Sequence, residues 1–123
     1  MEWIYIAIGA ALGAVSRFYV GQQIEMFAYA TFTVNMVGSF SLGIVSQIVS
    51  VHREKKWLKF GVGIGFLGSF TTFSTFMVDF YRLIDKNVFI AFTYIFLTLL
   101  FGLLFAYGGI AITKKALKLG DES

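Results

Sequence analysis

The sequence predicts an all-α membrane protein with four transmembrane helices per subunit. Three observations carry that prediction. The 123 residues are 58% hydrophobic and only 14% charged, against about a quarter charged in an ordinary soluble domain. The charges are clustered: no Asp, Glu, Lys or Arg occurs from Met26 to Val51, from Phe60 to Val78 or from Asn87 to Thr113. Such windows reach the length of roughly 18–20 residues at which a membrane span is the default reading. In lipid each backbone polar group must be satisfied within the protein, so the spans are helices.

The spans fall at about 3–20, 31–51, 60–78 and 88–112, in a single domain with short polar links and a polar tail from Lys114 to Ser123. The first could be taken for a signal peptide. Its leading charge is Glu2 rather than a base, and Arg17 follows without a clear cleavage pattern, which favours a retained span. Lys and Arg set the orientation. Arg53, Lys55, Lys56, Lys59, Lys114, Lys115 and Lys118 lie on one side, against Arg82, Lys86 and Arg17 on the other, so both termini are expected in the cytoplasm. There is no cysteine, hence no disulfide framework or thiolate metal site. The net charge of +3 is small and scattered, which points away from nucleic acid.

Within the first span Gly9 and Gly13 are four apart, as are Gly61 and Gly65 in the third. That spacing suits close helix packing, although glycine is also simply common in membrane helices. Arg17 reads either as an interfacial anchor or as a fixed positive charge that draws anions to a vestibule. In the second span Thr31, Asn35, Gly38 and Ser39 share one helical face. An amide in lipid needs a partner, so Asn35 faces either another helix, as a hydrogen-bonding tie, or water.

The third span contains "GSFTTFSTF", residues 68–76. On one ideal helix Phe66, Phe70, Phe73, Phe76 and Phe80 share an arc, with Thr71, Ser74 and Thr75 turned away. A phenylalanine stripe ordinarily means packing or lipid contact. The hydroxyls, together with Gly63, Gly65 and Gly68, suggest instead a helix broken near its middle, since the chain has no proline to kink it. Free carbonyls at that depth are tolerated only inside protein or beside a cavity, and they are hard ligands for a cation. The rings present positive edges along which a small anion can pass without a full charge to trap it. In the fourth span Tyr94, Thr98 and Gly102 align along one face; Tyr and Thr are ordinary in such helices, and a pore role is the alternative. Four helices of this length scarcely enclose a hydrated pore, so a dimer or larger assembly is expected.

These residues resemble the fluoride channel family known as Fluc or CrcB, over most of the chain. "GAALGAVSR" (9–17) resembles its first-helix Gly/Arg motif, and "TFTVNMVGSFSLG" (31–43) its second-helix Asn motif. "GFLGSFTTFSTF" (65–76) is similar to the third-helix signature, the most specific of the three. The resemblance implies a dual-topology dimer of antiparallel subunits with two fluoride pores, passively exporting cytoplasmic fluoride across a bacterial inner membrane. It also implies a structural Na⁺ at the dimer centre, held by the backbone carbonyls of Gly68 and Thr71. Phe73 and Phe76 would offer ring edges to fluoride, Asn35 the pore amide and Arg17 the vestibule arginine. Tyr94 and Thr98 would form the fourth-helix polar track, with Thr31, Ser74 and Thr75 as further hydroxyls. The partner would be an identical chain, or a paralogue of opposite topology given the unequal basic residues on the two sides.

Two other functions fit parts of this pattern. A proton-coupled multidrug exporter needs an intramembrane carboxylate, yet Glu2, Glu25 and Asp79 are expected at span ends, and His52 lies in a loop. A non-transporting assembly subunit would account for the glycines but not for Asn35 beside the hydroxyl and phenylalanine cluster. No nucleophile–base pair or phosphate-binding loop suggests an enzyme.

Overall fold

A computed structural model describes residues 2–23 and 27–117; Glu25 and Lys118 lie outside them. Helix α1 is Glu2–Gln23 and α2 is Phe27–Val51. The third span opens as a wide π-helical segment, Trp57–Leu67, and tightens into a single turn, α3, Gly68–Phe70. After a break it resumes as α4, Ser74–Lys86, and α5 is Val88–Leu117. Four stretches are long and apolar enough to cross a membrane: Glu2–Gln23, Ala28–Val51, Trp57–Lys86 and Val88–Leu117. The helices overrun the charge-free windows, because a charged residue ends a window without ending a helix.

Glycines decide how the helices pair. A Cβ at Gly9 would run into the Gly61 carbonyl oxygen, and one at Gly13 into that of Phe66. A Cβ at Gly65 would come within 2.6 Å of the Ile6 carbonyl oxygen. Thus α1 and the π segment touch backbone to backbone, the packing that four-residue glycine spacing permits where lipid gives no hydrophobic drive. The second pair is α2 with α5. There a Cβ at Gly43 would meet the Ala106 carbonyl and one at Gly109 that of Phe40. The edge-to-face pairs Phe32–Phe101 and Phe40–Phe105 extend this seam at centroid distances of 6.4 and 6.5 Å.

The links are short and well capped. Asn87 ends α4 by donating its N–H to Leu83 O at 2.8 Å. Its side-chain Oδ1 then accepts from the N–H groups of Phe89 and Ile90, at 2.9 and 3.2 Å, to start α5. At the opposite end of the bundle the Lys56 ammonium pairs with Glu2 at 3.2 Å, tying the 52–56 link to the start of α1.

The widening of Trp57–Leu67 into π turns was not expected from the sequence. The segment holds Gly61, Gly63 and Gly65, each about 0.5–1 kcal/mol poorer than alanine in an α-helix, so its preference for the ordinary turn is weak. The break does come near the middle of the third span, but the glycines do not make it. Gly68 is helical, at φ −62° and ψ −34°, and the chain leaves the helix at Thr71, at φ −80° and ψ 159°.

Candidate functional site

The break at residues 71–73 is built by hydrogen bonds that divert the backbone from its helical partners. Thr71 still donates its N–H to Leu67 O at 3.1 Å, and its hydroxyl donates to the same oxygen at 2.9 Å. Thr72 departs from the pattern. Its N–H donates to Asn35 Oδ1 at 2.8 Å, and its carbonyl accepts from Asn35 Nδ2 at 3.0 Å. Thr72 Oγ1 then accepts from the Thr75 N–H at 3.1 Å, in the manner of a helix N-cap for α4. From α1, Arg17 Nε donates to Ser69 O at 2.9 Å. Three side chains therefore replace the backbone bonds that a continuous helix would have made.

Two of the carbonyls before the break lose their helical donors to side chains, those of Gly68 and Thr71. In an unbroken helix Gly68 O would accept from Thr72 N–H, and Thr71 O from Thr75 N–H. Both N–H groups are engaged elsewhere. Gly68 is exposed on the surface of this single chain, and a Cβ there would meet nothing within 4 Å. Uncommitted carbonyl oxygens on such a surface fit the needs of a hard cation, which takes oxygen ligands.

Two depressions flank the break. A groove of about 370 Å³ is lined by Asn35, Thr71, Phe73, Phe76, Thr98 and their neighbours Ser39 and Gly102. The rings of Phe73 and Phe76 are 5.7 Å apart and tilted by 55°. Phe76 is only 4% exposed and packs against Tyr94 at 5.4 Å, whereas Phe73 is 70% exposed. Thr98 is buried, and its hydroxyl has no hydrogen-bond partner among the described residues. The second depression, a cleft of about 530 Å³, holds Arg17, Thr31, Ser74, Thr75, Asp79 and Arg82. Thr72 lines both.

The expected site residues thus divide. Asn35, Phe73, Phe76 and Thr98 come together in the groove, while Arg17, Thr31, Ser74 and Thr75 meet in the cleft. The single phenylalanine arc does not survive, because the break resets the helical phase: Phe66 stacks on Phe70 at 5.8 Å before it, and Phe73 pairs with Phe76 after it. Tyr94 turns its hydroxyl to Asp79 Oδ2, donating at 3.1 Å, and lines a third, apolar depression with Ala28 and Leu83.

Asp79 is buried, which its place at the close of a charge-free window does not suggest. It was expected at a span end, but α4 continues to Lys86 and the Asp79 side chain is 1% exposed. Thr31 of α2 and Tyr94 of α5 adjoin it, so one carboxylate joins three helices. Its charge had closed the apolar window at Val78. The signal that could have placed it was the position of Phe76, Asp79 and Leu83 at i, i+3 and i+7, a buried stripe that continues through the charge.

Comparison with known proteins agrees with this architecture. Residues 4–110 match the family model described as CrcB-like protein, Camphor Resistance (CrcB). The chain is 38% identical to the fluoride-specific ion channel FluC 1 of Bacillus cereus, over 98% of this chain and 92% of that protein. It is also 38% identical to the fluoride-specific ion channel FluC of Geotalea uraniireducens, over 90% of this chain and 95% of that one. The same identity holds with FluC 1 of Listeria innocua, over 91% and 97%. With four spans, a third helix broken at its middle and matches along nearly its whole length, the chain belongs to the CrcB family.

Proposed function

We propose that this chain is a subunit of a passive, fluoride-selective channel of the plasma membrane that lets cytoplasmic fluoride leave the cell. The observation that carries the reading is the groove beside the break, lined by Phe73, Phe76 and Thr98, whose buried hydroxyl has no partner among the described residues. A buried hydroxyl without a partner is unfavourable, and a small anion able to accept its proton would relieve it. The rings add a weakly positive edge, and conduction requires binding of this moderate kind. Arg17 and Arg82 in the cleft on the other side of Thr72 give an anion a favourable approach. Relatives 38% identical bear the name of fluoride-specific channels.

The groove is a surface feature of one chain, with Phe73 largely exposed, so a second subunit is needed to close it. We read the assembly as an antiparallel dimer, preferring two copies of this chain to a pair of paralogues, with two pores. Gly68 and Thr71 of each copy are the proposed carbonyl ligands of a central Na⁺. Bound there, the ion would neutralise oxygens from both subunits and tie the two helix breaks together. The exposed glycine at 68 is consistent with this, because nothing within one chain requires its lack of a side chain.

One observation favours a second reading: the buried Asp79 supplies the carboxylate that a proton-coupled exporter needs. Efflux from liposomes holding only the purified protein separates the two. The channel predicts fluoride release driven by a K⁺ diffusion potential, with chloride retained and no proton gradient required. Phe73→Ile or Phe76→Ile should lower the rate about two- to tenfold, from a ring contact of about 0.5–1.5 kcal/mol. Release only under a proton gradient would favour the exporter, and no release would leave an assembly subunit or an obligate paralogue partner.

A further inference from the structure

The Asn35 amide faces the groove, yet both of its ends are committed to the backbone of Thr72. This has a consequence at a different place in the third span. In the preceding residue the helical pattern is intact, with Thr71 N–H on Leu67 O at 3.1 Å. The next bond in the series would be Thr72 N–H on Gly68 O. It is not made, because the N–H lies 2.8 Å from Asn35 Oδ1. The α-helical donor to Gly68 O would be Thr72 N–H, and the group that takes this donor comes from α2.

We infer that Asn35 is a positioning residue for the cation site: by holding Thr72 N–H it keeps the Gly68 carbonyl free to act as a ligand. The inference rests on the reading of Gly68 and Thr71 as cation ligands. A primary amide suits the task because it presents an acceptor and a donor together, and the Thr72 peptide offers one of each. The Nδ2 bond to Thr72 O, at 3.0 Å, fixes the peptide in its turned orientation. Without Oδ1 a half-buried N–H would lack its acceptor, an unfavourable state, and the nearest helical remedy is to return to Gly68 O. One side chain thus lines the anion groove and sets the oxygen of the cation site.

The purified full-length protein in detergent provides the test, with the fraction of dimer after heating as the readout. NaCl is titrated against N-methylglucamine chloride at constant ionic strength. Na⁺ should stabilise the dimer of the unaltered protein. Asn35→Ala should need at least about tenfold more Na⁺ for the same effect. Replacing Thr72 by its α-hydroxy acid removes the N–H altogether. In the Asn35→Ala background this ester should restore the Na⁺ response, since Gly68 O then has no donor to regain. If Asn35→Ala does not fold, the ester alone decides: retention of the response is expected, and its loss overturns the inference. An unaltered protein indifferent to Na⁺ would overturn the cation reading and this inference with it. A normal Na⁺ response in Asn35→Ala would overturn the inference alone.

Discussion

At Thr98 a single atom allows the proposed pore role to be tested apart from the fold. Its side chain is buried in the groove with no partner for the hydroxyl among the described residues. Valine has nearly the same shape without the hydroxyl. If the hydroxyl served only the fold, its loss would weaken the protein; here no hydrogen bond among the described residues is lost. Thr98→Val should therefore leave thermal stability unchanged or raise it, by up to the ~1–3 kcal/mol that an unsatisfied buried group costs, while fluoride efflux falls. Melting followed by size exclusion, set beside liposome flux, checks both halves; a destabilised variant with normal flux would refute the assignment. In the sequence Thr98 is only one of several hydroxyls on an apolar helix, since the absence of a partner is a property of three-dimensional packing. Asn35 was legible as an amide in need of a partner, but its partner, the Thr72 peptide, could not be read, because the sequence does not say which helix lies opposite.

At the scale of the element, glycine positions separate contacts that tolerate no side chain from those that do. A Cβ at Gly13 would strike the Phe66 carbonyl, which is backbone and cannot turn aside, whereas one at Gly108 would meet nothing within 4 Å. Gly13→Val should force α1 from the π segment and cost about 1–3 kcal/mol or more, in the range of overpacked cores. Gly108→Ala should be neutral, since it adds a methyl group to open space. Thermal stability in detergent of the two variants is the comparison, and equal behaviour would show that the α1 contact is looser than described. The four-residue spacing of Gly9 with Gly13 and of Gly61 with Gly65 was legible in advance as a packing signal. The division of hydroxyls across the break was not. Assigning Ser74 and Thr75 a position relative to Phe70 assumed an uninterrupted advance of 3.6 residues per turn, and that advance fails across residues 71–73. The break near the centre of the third span and the opposition of Ser74 and Thr75 to Phe73 and Phe76 were legible, while the continuity of the phenylalanine arc across the break was not.

At the scale of the whole molecule, the unequal distribution of basic residues bears on assembly. Seven Lys and Arg flank the spans on one side and three on the other, an imbalance that favours one orientation. A homodimer of antiparallel subunits nevertheless requires both. A reporter fused after the last residue should show the C-terminus on both faces of the membrane, and the protein purified alone should cross-link as a dimer. A single orientation, together with no dimer, would point to a paralogue as the obligate partner. The four-span architecture followed from charge-free windows alone, because lipid leaves helices almost no alternative. Assembly did not follow, since a surface that meets a second subunit and one that meets lipid are both apolar.

The break in the third span also has a place in time. There is no proline to enforce it, and two of the three side chains that hold it come from elsewhere in the chain: Arg17 from the first span and Asn35 from the second, while Thr72 acts within the third. On its own, the stretch from Trp57 to Lys86 has every reason to be a straight rod when it enters the bilayer. Synthesis runs from the N-terminus, so both clamps are already in the membrane before that rod arrives. Bending it is then a docking event between finished neighbours, and the conducting shape is acquired after insertion rather than during it.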